Sequence, residues 1–138
     1  MSGTRIKTAR AIAITALIVA GVLALRATQA QQAGIKRTDL QRRDLSAAGW
    51  EAVQVRVDID PGMAFGKHTH PGEEIIYVLK GTLEYEIEGK PATTLKAGDV
   101  LFIPAGTIHA AKNVGSDTAS ELATYVVEKG KPLLTLVK

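Results

Sequence analysis

Only three histidines occur in the 138 residues, His68, His70 and His109, and all three lie in one central stretch together with Glu74. Imidazole and carboxylate are the ligands that divalent transition metals share, so the set is a metal-ligand inventory. His68 and His70 are two apart, which on an extended strand sends both rings from one face. Glu74 joins that face where the strand resumes in phase. His109 completes a shell of three histidines and one glutamate if its strand lies beside or opposite the first. A lone histidine is more often a hydrogen-bonded core residue, but four such residues at these spacings favour a metal. Cysteine is absent, which removes disulfides, thiolate nucleophiles and sulfur ligands and leaves imidazole and carboxylate as the metal chemistry.

Two segments frame the four residues. The first carries Gly62, His68, His70, Glu74 and Gly81, and the second Gly98, Pro104, Gly106, His109 and Asn113. Position by position these resemble the two motifs of the cupin superfamily, and no motif position departs from the pattern. Ten fixed residue types at fixed spacing arise by chance with a probability on the order of 10⁻¹³ per alignment. The resemblance implies an all-β double-stranded β-helix, a jelly-roll barrel, holding one divalent metal through His68, His70, Glu74 and His109.

Three neutral imidazoles and one carboxylate leave one or two coordination positions for water or substrate. Structural zinc normally sits in a closed tetrahedron and often uses sulfur, whereas mixed ligation of this kind suits Fe, Mn, Ni, Co, Cu or Zn in an open site. The chain looks most like the small, single-domain cupins compared with quercetin dioxygenases. That likeness implies a metal-dependent oxidoreductase, dioxygenase-like, whose small-molecule substrate chelates the open positions. Glu74, shifting from the metal during turnover to accept a proton, is the one catalytic candidate. The alternative is a binding protein that holds a sugar or organic anion at the same metal without converting it. A third reading is a chiefly structural subunit of an exported assembly.

The elements that must position these residues read as short strands. Val53, Val55, Val57 and Ile59 alternate with polar residues until Pro61 and Gly62, the pattern of a half-buried strand. Arg56 lies on the other phase, either paired to Asp58 or reaching a substrate carboxylate. Pro71-Gly72 turns the chain into a strand from Glu73 to Leu79, with Glu74, Ile76 and Val78 inward and Glu73 outward. A second strand runs from Thr82 to Ile87 and a short one from Ala92 to Leu95. Val100–Ile103 is almost wholly apolar and reads as a strand buried on both sides. Pro104 and Gly106 fix the approach of the strand bearing His109, and Asn113 reads as structural. Strands at Leu122–Val127 and Leu133–Val137 finish a barrel of eight or so strands.

The ends add a location. Arg5, Lys7 and Arg10 precede an uncharged run from Ala11 to Leu25, with Thr28 and Ala30 at small-residue positions, the shape of a secretory signal over residues 1–30. Fifteen helical residues reach about 22 Å, short of a hydrocarbon core of about 30 Å, which favours removal over a membrane anchor. The expectation is an exported, periplasmic or secreted protein that meets a membrane only during export, or through an uncleaved signal. The formal charge of +3 misleads. Residues 1–30 hold four of the seventeen Lys and Arg and none of the fourteen acids, so the remainder carries thirteen against fourteen. A net charge of −1 leaves no basis for a nucleic-acid partner. Residues 31–50 form a polar N-terminal arm with a short edge strand around Ile35–Leu40, and 51–138 form the barrel. Exchange of that arm between two copies would cover a sheet edge and make a homodimer.

Overall fold

The structure, a computed structural model, describes residues 32–138, and the signal expected at 1–30 lies outside the described residues. Ten strands follow one another: β1 (Ile35–Asp44), β2 (Trp50–Ile59), β3 (Ala64–Thr69), β4 (Gly72–Lys80), β5 (Thr82–Ile87), β6 (Thr93–Lys96), β7 (Val100–Ile103), β8 (His109–Asn113), β9 (Ala119–Glu128) and β10 (Thr135–Leu136). They form two five-stranded antiparallel sheets, ordered β1-β2-β9-β4-β7 and β10-β3-β8-β5-β6. Non-sequential neighbours such as β2-β9 and β3-β8 are the crossings of a jelly roll, so the architecture is the double-stranded β-helix. No helix occurs among the described residues.

Period-two alternation builds the core. Val53, Val55, Val57 and Ile59 of β2 face inward beside Ile76 and Val78 of β4, Ala123 and Val127 of β9, and Leu83 and Ile87 of β5. Each large aliphatic buried this way contributes about 1.5–3 kcal/mol. Residues directly opposite on an antiparallel pair share a face. The register therefore lays Arg37, Val57, Glu121 and Val78 in one row across the inner face of the first sheet, and Tyr125 beside Glu74 in another. On the second sheet His68 stands opposite His109, and Tyr85 opposite Ala111.

Two sequence expectations change and an open one is decided. Val100–Ile103 is not buried on both sides: β7 is the edge of its sheet, and Val100 and Phe102 are 67% and 55% exposed while Ile103 is buried. The short strand expected near Ile35–Leu40 runs on to Asp44 and pairs along β2 of the same chain. Ile35–Asp44 is thus a strand of the same sheet as β2 and β9. Its polarity follows from its place at the other edge of that sheet, where most of its residues meet water. Arg56 lies on the outer face, 2.9 Å from Asp58, and takes the surface pairing.

The two motifs lock to each other through backbone. The N–H of Gly106, whose φ of 70° only glycine holds without strain, donates to the carbonyl of His70 at 3.0 Å. Asn113 is wholly buried and donates from Nδ2 to the carbonyls of Ile59 and Asp117, both at 2.8 Å, while its Oδ1 accepts from Gly115 N–H at 2.8 Å. It ties the end of β2 to the turn before β9, which is the structural part its place in the motif suggested.

Candidate metal centre

His68 sits near the end of β3, His70 just after it, Glu74 on β4 and His109 at the start of β8. All four side chains are buried, at 5, 4, 3 and 2% exposure. Their ligand atoms lie within 4.8 Å of one another. The four residues that sequence spacing singled out are therefore the four that the fold brings together.

Each imidazole is held from behind. Nδ1 of His68 lies 2.7 Å from the carbonyl of Gly66, Nδ1 of His70 2.6 Å from that of Leu133, and Nδ1 of His109 2.9 Å from that of Thr107. A carbonyl oxygen only accepts, so each Nδ1 carries a proton and each ring turns its Nε2 to the centre. Such outer hydrogen bonds fix the tautomer and aim of metal-ligating histidines. Glu74 Oε2 lies 2.9 Å from His109 Nε2 and 3.4 Å from His70 Nε2, and these three buried atoms have no hydrogen-bond partner. Ring nitrogens and a carboxylate converging in a buried site are costly unless protons or a cation join them. The donor set thus fits a divalent metal.

The electrostatics are tuned the same way. Burial alone would raise Glu74, but its contacts with His109 and His70 outweigh that and hold it well below the usual carboxylate range. Burial, reinforced by the neighbouring His109, pushes His68 down to about 4, so it is a neutral, ligand-ready base at physiological pH. Burial also works against a charge on His109, yet the adjacent Glu74 carboxylate prevails and lifts it above its ordinary value.

Around this cluster lies a small cavity that composition did not announce. Its remaining polar walls are Arg37, Tyr85, Glu121 and Tyr125. The free space is about 10 Å³, roughly the room of one ordered water, and reaches about 280 Å³ when its open mouth is included. Glu121 is buried and accepts a hydrogen bond from the Tyr85 hydroxyl. Burial, with the nearby Glu74 charge, pushes Glu121 up to about 8. Tyr125 packs its ring 4.6 Å from that of His70. A signal for Glu121 was present in the sequence: it shares the phase of Ala119, Ala123, Tyr125 and Val127, a charge on an apolar face. Nothing comparable marks Arg37, which stands in a polar run.

Residues 55–127 match the family described as Cupin domain, which is more than half of the chain, and the chain belongs to that family. Over 73 residues it is 37% identical to the oxalate-binding protein of Thermotoga maritima, covering 52% of this chain and 60% of that one. Over 75 residues it is 40% identical to germin-like protein subfamily 2 member 2 of Arabidopsis thaliana, covering 51% of this chain and 34% of that one. The chain therefore spans about a third to three fifths of the length of these relatives. Among solved structures, oxalate oxidase in complex with glycolate superposes with a TM-score of 0.62 at 28% identity, over 75% of this chain and 55% of that one.

Proposed function

We propose that this protein is a metal-dependent enzyme of oxidoreductase type, acting on a small organic substrate that enters the barrel and binds the metal through its own oxygen atoms. The observation that carries the reading is the convergence of three Nε2 lone pairs and one carboxylate, each ring pinned from behind, on a point that borders a cavity rather than a sealed core. A closed structural site would need no adjoining space. His68, His70, Glu74 and His109 would hold the divalent ion, which would supply Lewis-acid and redox chemistry to a substrate oxygen. The chain's own part is to orient and enclose. The carbonyls of Gly66, Leu133 and Thr107 keep the rings aimed, and Phe65, edge-on to His68 at 4.7 Å, narrows the approach. Glu74 is the anionic ligand, and because His109 and His70 hold it ionised it accepts a proton only on leaving that contact.

Likeness to oxalate oxidase supports oxidation as the reaction class, and the basic, apolar stretch in residues 1–30 supports action outside the cytoplasm. Likeness to an oxalate-binding protein favours a second reading, retention of the ligand without turnover. Oxygen uptake and product mass spectrometry on the metal-loaded protein, with oxalate and glycolate as first candidates, separate the two. Substrate-dependent oxygen consumption with a new product is the expected result, and tight binding with unchanged ligand would sink the enzymatic reading.

A further inference from the structure

Arg37 is placed for a task that the metal ligands do not perform. It stands on the inner face of β1, two residues after the buried Ile35, and lines the same cavity as His68, Glu74 and His109. With Phe65 it is one of the two cavity-lining residues that are only half-buried, so the pair forms the mouth while the other walls are buried. Its guanidinium lies over the Phe65 ring, 5.8 Å from the centroid, a stacking that holds the planar group in place and leaves its N–H edge free. Among the described residues it forms no ion pair and no hydrogen bond, whereas Arg42 and Arg56 each bind a carboxylate. Its field nevertheless reaches inward, since its charge acts to lower both Glu121 and Tyr125.

We infer that Arg37 is a specificity-determining residue that receives the negatively charged end of the substrate at the cavity mouth, so that the site selects a small organic dianion with one group on the metal and the other on the guanidinium. The inference rests on the metal-dependent reading above and names its substrate class. A guanidinium presents two parallel donors that match a carboxylate, and a pair formed in a partly desolvated mouth is stronger than one on the open surface. The cavity, about 280 Å³ with its open mouth included, limits the spacer between the two charges to a few atoms. The competing role, a counter-charge for Glu121 alone, makes a different prediction: loss of Arg37 would then alter stability and leave ligand affinity where it was.

The test is calorimetric titration of the full chain, both zinc-loaded and chelator-treated, with oxalate, malonate and succinate and with their half-amides oxamate, malonamate and succinamate. Parent, R37M and R37K are compared, with metal content and Tm recorded for each. The expected result is that the parent prefers one dicarboxylate over its half-amide, that R37M weakens that dicarboxylate at least tenfold and abolishes the preference, and that R37K restores part of it. Metal content stays at the parent level in both variants. R37M binding all six compounds within twofold of the parent overturns the inference, as does a parent that binds no dicarboxylate in either form. Arg37-dependent binding without conversion overturns the enzymatic reading above and leaves this one standing.

Discussion

The three histidines act as a set because each ring has one nitrogen committed to a backbone carbonyl, while the ligand atoms of all three and of Glu74 gather within 4.8 Å of one another. Removing two of the four ligands leaves a single imidazole and the carboxylate, too few to hold a transition ion against water. The H68A/H109A double variant is therefore expected to fall from near one metal per chain to near none in elemental analysis, and equal metal in the two proteins would place the ion elsewhere. Glu121 gives a second prediction. Burial raises it from its ordinary value to about 8, so in metal-free protein the folded state binds a proton that the unfolded state has released between about pH 4.5 and 8. Stability from this group is complete below pH 4.5 and is lost as pH rises through 8. E121Q keeps the acceptor for Tyr85 and removes the ionisation. Chemical denaturation of chelator-treated protein should show parent and variant close at pH 5 and the variant more stable at pH 8.5. Parallel curves would show that Glu121 ionises in the folded state as readily as in the unfolded chain.

At the scale of strands, position within a sheet decides what a residue is worth. Ile76 of β4 is fully buried between the sheets, and I76A should cost about 2–5 kcal/mol, whereas F102S on exposed β7 should stay within about 0.5 kcal/mol of the parent. Similar losses from urea titration of both variants would mean that the outer face of β7 is covered. Sequence carried the period of β2, β4 and β5 and hence their inner faces, because alternation is written locally. It carried the ligands for another reason: their chemistry is rare and their spacing fixed. It misread β7, because four apolar residues in a row look alike whether a strand is central or at an edge, and edge position is a property of topology. It undervalued β1, whose length depends on pairing with β2 rather than on its own polar residues. Arg37 escaped for the same reason, as its inward direction is set by its register against Val57. Glu121 escaped because the expected strand starts at Leu122, three residues after β9 does.

For the whole domain, folding and metal binding are one equilibrium. The ligands come from β3, β4 and β8 and the segment after β3, so only the closed barrel brings Nε2 of three rings and Glu74 together. A cation bound there and not to the unfolded chain adds stability in proportion to its occupancy, about 2.7 kcal/mol at a free concentration of a hundred times Kd. For a domain of this size each kcal/mol moves Tm by about 4 °C, so loading at that excess should raise Tm by roughly 10 °C. The gain should shrink as pH falls through the raised value of His109, since a proton on its Nε2 competes with the metal. Differential scanning calorimetry with and without zinc, on the parent and on H68A/H109A, reads this directly: a rise in the parent that the double variant lacks ties the metal to the barrel. An equal rise in both would assign the stabilisation to surface carboxylates, and no rise in a parent that elemental analysis finds loaded would mean that the unfolded chain holds the ion equally well.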